Sequence, residues 1–294
     1  MISKEIINKI RRIQITTSRK VTDVFAGQYQ SVFKGVGMEF DEVREYNPGD
    51  EIRSIDWNVT ARMGHPFVKK FVEERELTIM LLLDVSMSCR FGTTDRSKSD
   101  LAAELCSVLA FSAVKNNDKV GMLTFTDRVE KFIPPRKGVR HVLRVVREAL
   151  YNRPAGRGTD INNALEFFNL VSKRNTITFL ISDFIAPDFR KLLSVTNKRH
   201  DVIAVSIIDP VETRLPDAGI IKMHDAETGE IFEIDTSSRS AREEYSRNSE
   251  KTIRERNELF RSINVDNIAI KTDKSYVAPL VKFFKTRERR LVRR

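Results

Sequence analysis

From residue 77 onward the chain alternates between short apolar runs and longer stretches with helical apolar spacing. The runs at 77–83, 120–125, 176–181 and 202–208 are rich in Leu, Ile, Val and Phe and are bounded by polar or turn residues. Short continuous apolar runs of this kind predict strands buried on both faces of a parallel sheet. Between them, 100–115 places apolar residues at 101, 105, 108, 109 and 111, a helical spacing with Ser97 or Ser99 as its N-cap. Further helices are expected over 139–150, 161–171 and 188–198. The short segment 129–133 reads as a hairpin neighbour of 120–125, ended by Pro134-Pro135. Residues 219–235 predict a hairpin turning at Thr228-Gly229, followed by a long charged helix at 241–263, a last strand at 268–270 and a last helix at 277–284. Strands separated by helices imply an α/β fold, a mostly parallel sheet flanked by helices on both faces.

The first quarter of the chain lacks that rhythm. Ile6, Ile7, Ile10 and Ile13 keep rough helical spacing, so residues 1–35 read as a helix and a loop. Residues 36–76 hold a loosely alternating run and the turn signal Asn47-Pro48-Gly49-Asp50, then the single Trp of the chain, another turn, and a strand candidate that begins at Pro66. A boundary near residue 76 follows, with an N-terminal irregular, β-rich segment at 1–76 and the α/β domain at 77–294. Arg44, Arg53 and Arg62 are interleaved with Glu39, Glu45, Asp50 and Asp56, a pattern expected of salt bridges that pin an irregular segment, with Tyr46 and Trp57 as apolar anchors. A docking surface is the alternative reading of the same block, because Arg and aromatic residues dominate binding hot spots.

The chemistry concentrates where the first buried run ends, at Asp84-Val85-Ser86-Met87-Ser88. On extended backbone, positions 84, 86 and 88 point to one side. One carboxylate and two hydroxyls suit a hard divalent cation, which prefers oxygen ligands and keeps several waters. Such a set leaves much of the ion's charge uncompensated and favours a further acidic ligand from outside. Two later segments are candidates to complete the shell: Thr159, on the glycine-containing loop 156–160, and Asp183, at the end of the run 176–182. Ligands of open α/β sheets gather at the C-terminal ends of strands. Asp160 is expected to cap the following helix.

Asp84, Ser86, Ser88, Thr159 and Asp183, in that order along the chain, resemble the metal-ion-dependent adhesion site of von Willebrand factor A domains. The upstream block is equally distinctive: Gly37-Met38-Glu39-Phe40, Arg44-Glu45-Tyr46, Pro48-Gly49-Asp50, Arg53, Ile55-Asp56-Trp57 and Ala61-Arg62. It is similar to the signature of the domain of unknown function 58 family, which precedes a von Willebrand factor A-like domain. The resemblance implies a von Willebrand factor A-like fold. It further implies Mg2+ or Mn2+ at the five residues named, and a client or partner presenting an acidic residue. Members of the family occur beside MoxR-type AAA+ ATPases, so it also implies an adaptor role for such an ATPase in protein maturation or assembly. One departure stands out. Phe184 follows the last Asp where the better-known A domains often have Gly, and its ring is expected to narrow access to the ion. Arg90 and Arg157 flank the ligands, where they would either discourage a cation or hold an incoming carboxylate.

Composition narrows the alternatives. The net charge of +10 invites a nucleic-acid reading, yet residues 282–294 hold seven bases and one acid, so most of the excess sits in one terminal stretch. Nucleic-acid binding through that basic tail is therefore a minor alternative. No run approaches the roughly 18–20 apolar residues of a membrane span, and the start of the chain lacks a signal peptide's apolar core, so a cytoplasmic location is expected. Cys89 and Cys106 lack the spacing of a metal knuckle or redox pair and are expected in the core. An enzyme is the less favoured class. A phosphoryl-transfer site built on Asp84 wants a second carboxylate where Ser86 stands, and neither Gly-x-Ser-x-Gly nor a phosphate-binding Gly-x-x-x-x-Gly-Lys loop occurs. The four His residues are scattered.

Overall fold

The computed structural model describes residues 38–73, 76–224 and 229–292. The helix expected within 1–35, and Thr228 of the expected hairpin turn, lie outside the described residues. The chain forms two compact units that meet in sequence between Leu77 and Thr78.

In the smaller unit, β1 (Met38–Glu45) pairs antiparallel with β2 (Phe67–Glu73), with a bulge between Phe40 and Glu42. A short 3-10 turn and helix α1 (Trp57–Met63) connect them. Asp56 caps α1 by accepting from the Asn58 and Val59 amides, and Gly64 ends it at φ +79°, the left-handed conformation of a helix stop. Arg44 grips Asp50 with two hydrogen bonds of 2.8 and 2.7 Å, closing the Asn47-Pro48-Gly49 turn and holding the Asp50 carboxyl below the usual carboxylate range. Trp57 corrects the expectation of an apolar anchor: it is 66% exposed, on the outer side of α1.

The larger unit is the expected α/β sheet. Its strands are β3 (Thr78–Asp84), β4 (Lys119–Phe125), β5 (Val129–Arg136), β6 (Ile177–Ser182), β7 (Asp201–Ile208) and, after a separate hairpin of β8 (Ile220–His224) and β9 (Ile231–Asp235), β10 (Asp266–Lys271). The spatial order is β10-β7-β6-β3-β4-β5, parallel throughout except for β5. Six of the seven residues of β3 are buried, and all of β6, as continuous apolar runs require. Edge strand β10 instead alternates buried and exposed positions toward its end. Strand β5 runs through Pro134 and Pro135 rather than ending before them. An edge strand tolerates the two missing amides, because its outer side has no ladder to complete. Gly121 allows the neighbouring approach: a Cβ there would sit 2.6 Å from Met80 Sδ and 2.9 Å from both Ile133 O and Pro135 N.

Alternation along the strands splits the core in two. Met80 and Leu82 face a cluster with Leu123, Phe125, Leu180 and Ala204. The cluster is covered by helices α4 (Ile161–Val171) and α5 (Arg190–Arg199), through Phe168 and Leu193, and by Phe260 of α7 (Arg239–Ser262). Ile79, Leu81 and Leu83 are equally buried on the other side of the strand. Helix α2 (Lys98–Lys115) contacts β3, β4 and β7, and α3 (Val139–Tyr151) contacts β4 and α2. Ser97 caps α2 and Asp160 caps α4, as expected. The last helix, α8, runs over Val277–Val292, eight residues beyond the expected end, with Leu280 and Phe284 buried. Arg287 pairs with Asp201 and Asp266, and Arg290 with Asp266, so part of the basic terminal stretch is built into the domain instead of forming a solvated tail.

Candidate metal centre

The order of the strands decides where a site can form. From β3 the chain first builds outward through β4 to β5, then returns to the other side of β3 for β6, β7 and β10. The sheet therefore has its switch point between β3 and β6, and crevices at such points open at the C-terminal strand ends. Asp84 is the last residue of β3 and Asp183 follows the last residue of β6. Both are buried.

Asp84 Oδ1 accepts the Ser86 amide at 3.0 Å, and Oδ2 accepts the Ser182 hydroxyl at 2.6 Å. One carboxylate thereby ties the end of β3 to the end of β6. Ser86 Oγ and Ser88 Oγ lie 3.0 Å apart. Continued strand alternation does not bring them together: β3 stops at Asp84, the chain bends, and Ser88 opens a 3-10 turn. The expected convergence of the two hydroxyls holds, but through a turn. Thr159 is buried on the adjacent loop, which the Met87 amide anchors by donating to Arg157 O at 2.9 Å and the Asp160 amide by donating to Thr126 O at 2.9 Å. Gly156 allows that loop to sit close, since a Cβ would fall 1.9 Å from Asp127 Oδ1 and 2.2 Å from Thr126 Oγ1. Arg90 and Arg157 are exposed.

Ligand atoms of Asp84, Cys89 and Asp183 lie within 4.8 Å of one another. Burial, and next the negative charge of Asp183, push the Asp84 carboxyl up to about 6, against the hydrogen bonds from Ser182 and Ser86. Burial, then the same two carboxylates, push the Cys89 thiol well above its ordinary range, so at neutral pH it offers no thiolate. What remains is a cluster of hard oxygens around a carboxylate that has no basic partner among the described residues. That donor set fits a hard divalent cation, and the buried group can hold a metal.

Other neighbours of the cluster carry little or no local sequence signal of a site. Lys98, 1% exposed, donates from its ammonium to Asp183 Oδ2 at 2.7 Å and to Glu212 Oε1 at 2.5 Å. Burial pushes its pKa down, but Asp183 and Glu212 outweigh burial and hold it above the ordinary value, fully charged. Glu212 sits on the short helix α6 (Pro210–Thr213), whose Asp209 accepts hydrogen bonds from Thr93, Val211 and Thr272. Arg256 of α7 donates to the Asp183 carbonyl, and Ser249 of α7 to the Glu212 carbonyl at 2.6 Å. A small cavity of about 330 Å³ lies between α6, α7 and the strand ends, with Asp183, Glu212 and Arg256 in its wall. Ser182 had a trace in sequence, as the hydroxyl directly before Asp183. Lys98 had a fainter one: a base in the first turn of a helix opposes the helix dipole and calls for a nearby acid. Phe184 does not narrow the site. It adopts a left-handed φ of +59° and turns its ring into the core against Phe189 and Phe260, with centroids 5.8 and 5.0 Å away.

Comparison with known proteins supplies the family. The profile of the protein family of unknown function DUF58 matches residues 42–255. The chain belongs to this family. The uncharacterized protein Rv1480 of Mycobacterium tuberculosis is 30% identical over 285 residues, 95% of this chain and 89% of its own length. YeaD of Bacillus subtilis, also uncharacterized, is 29% identical over 108 residues, 36% of this chain and 24% of that protein. Among solved structures, BatB from Bacteroides thetaiotaomicron aligns with a TM-score of 0.44 at 16% identity, covering 72% of this chain and 99% of that one. The SpRpn10 VWA domain aligns with a TM-score of 0.39 at 12% identity, covering 70% and 94%. This DUF58 chain thus joins a β-hairpin unit to a mostly parallel α/β unit with the acidic cluster at its strand ends.

Proposed function

We propose that this DUF58 protein is a cation-dependent protein-interaction module. The observation that supports it is the meeting of Asp84 and Asp183 with the Ser86 and Ser88 hydroxyls at the switch point of the sheet. Asp84, Ser86, Ser88 and Thr159 would hold Mg2+ or Mn2+, with Asp183 beside them. When bound, the ion supplies a positive charge to which a partner's Asp or Glu carboxylate is drawn. The protein's own residues do the rest. Ser182 fixes the Asp84 carboxylate, and the Ser86 amide sets its orientation. The loop anchored by Met87 and Asp160 holds Thr159 next to the 84–88 turn. No covalent step is required, and binding rather than catalysis is the role this donor set supports. The partner implied by the family resemblance is a MoxR-type AAA+ ATPase, or a client that it remodels.

The test is a pull-down of such an ATPase with the full chain in Mg2+ and in EDTA, beside the Asp84→Ala variant. Capture that disappears in EDTA and in Asp84→Ala is the expected result. Equal capture under all three conditions refutes the metal bridge. A phosphoryl-transfer reading would instead require turnover of a phosphate ester that is lost in Asp84→Asn.

A further inference from the structure

A cation site built from acids has no evident need of a buried lysine, yet the Lys98 ammonium bridges Asp183 and Glu212 at 2.7 and 2.5 Å. Its position carries three penalties. It is desolvated, it sits in the first turn of α2 where the helix dipole disfavours a cation, and it occupies an acid that a metal would otherwise draw upon. A well-packed apolar side chain would serve packing alone at least as well. The charges around it suggest another role. Lys98 bridges the carboxylates of Asp183 and Glu212, and the Arg256 guanidinium, bonded to the Asp183 main-chain carbonyl, adds a second positive charge beside them. Among the described residues Asp84 is bonded to serine hydroxyls and the Ser86 amide and forms no ion pair.

We propose that Lys98 sets the charge of this site: by neutralising Asp183 it leaves one carboxylate, Asp84, to face a divalent ion, so that the ion keeps a net charge of one, which a single carboxylate of a partner completes. This rests on the reading of the site as a cation-dependent docking point and specifies its selectivity. The free protein holds its ion weakly, and the ion and an acidic partner residue bind each other's complex more tightly than either binds alone. Without Lys98, Asp183 becomes a second uncompensated acid. The ion is then held tightly with or without a partner.

The experiment is titration of the full chain with Mn2+, followed by electron paramagnetic resonance and calorimetry, on the wild type and on Lys98→Met, Lys98→Arg, Glu212→Gln and Asp84→Asn. A unit charge within about 10 Å at an effective dielectric of about 20 shifts the affinity for a divalent ion on the order of tenfold or more. Lys98→Met is therefore expected to bind Mn2+ at least tenfold more tightly, and Lys98→Arg to restore weak binding. Glu212→Gln is expected to bind less tightly than wild type, because the full lysine charge then falls on Asp183. A purely structural lysine would weaken binding in both Lys98→Met and Glu212→Gln, so the opposite directions discriminate. Circular dichroism reports whether Lys98→Met folds; if it does not, Glu212→Gln that melts like wild type yet binds Mn2+ less tightly supports the proposal, and unchanged or tighter binding, or weaker binding with a lowered melting temperature, overturns it. Folded Lys98→Met with unchanged or weaker Mn2+ binding overturns it too. Wild-type binding that Asp84→Asn abolishes would then leave the metal site itself standing. Binding by Lys98→Met alone supports the proposal. No Mn2+ binding by any variant overturns both readings.

Discussion

Asp84→Asn isolates the electrostatic state of the site, because it removes the charge and keeps the shape. The Asp84 carboxyl is raised from its ordinary 3.8 to about 6, first by burial and then by Asp183. A folded value above the unfolded one means that the folded state prefers the proton. That stabilisation is complete below about pH 3.8 and is lost as pH rises to about 6. Above this window, keeping Asp84 ionised costs the metal-free fold ~2–3 kcal/mol. Asn avoids that cost but must point its amide at Ser182 Oγ, which already accepts the Phe184 amide at 2.9 Å, so about 1 kcal/mol of hydrogen bonding is given back. The metal-free variant should therefore be more stable than wild type at pH 7 by ~1–2 kcal/mol, melting higher by about 2–4 °C per kcal/mol for a domain of this size. At pH 4 the gap should close. Adding Mg2+ at about a hundredfold excess over its dissociation constant should stabilise wild type alone by ~2.7 kcal/mol and reverse the order. Thermal melts in EDTA and in Mg2+, at pH 4 and pH 7, read all four states. A variant that melts below wild type in EDTA at pH 7, or a Mg2+ shift equal in both proteins, refutes the reasoning.

Other consequences are equally direct. Gly156→Ala drives a methyl group into Thr126 Oγ1 and Asp127 Oδ1, so it should cost ~1–3 kcal/mol by urea denaturation and weaken any Mg2+-dependent stabilisation by shifting the Thr159 loop; a neutral effect on both would contradict the close approach. At Phe184, whose φ is +59°, the usual ranking should invert. Phe184→Ala and Phe184→Gly both lose ~3–5 kcal/mol of core packing, but Gly also relieves ~1 kcal/mol of left-handed strain, so an alanine variant as stable as the glycine variant counts against that conformation. Trp57, the chain's single Trp, should emit as an exposed indole and be quenched readily by acrylamide, and a shielded fluorophore would contradict its exposed position.

The strands and most helices were legible in sequence because their signals are local. A strand buried on both faces must be largely apolar, and 77–83, 176–181 and 202–208 are, with only Thr or Ser interrupting the aliphatic and aromatic positions. A helix that starts at a serine or aspartate announces itself, as Ser97 and Asp160 did. The residues of the candidate site could be named for the same reason, each lying at the end of such a run or on a glycine loop before a helix. Other features depended on what stands nearby in space. Pro134 and Pro135 belong to a strand because β5 lies at an edge. The basic residues Arg287 and Arg290 continue a helix because Asp201 and Asp266 meet them at the starts of β7 and β10.

Lys98 marks the limit most clearly. Periodicity reports which side of an element is apolar, and motif spacing reports which oxygens a chain possesses; both can be read along one dimension. Charge compensation cannot be read that way. Asp183 lies 85 positions from Lys98, Glu212 lies 114, and their ammonium–carboxylate distances follow from strand order and from α6 packing against α7. The linear chain thus established the α/β architecture and the acids at the strand ends. Folding in three dimensions decided which acids meet the buried lysine, Asp183 and Glu212, because electrostatic balance in a buried site is summed over space.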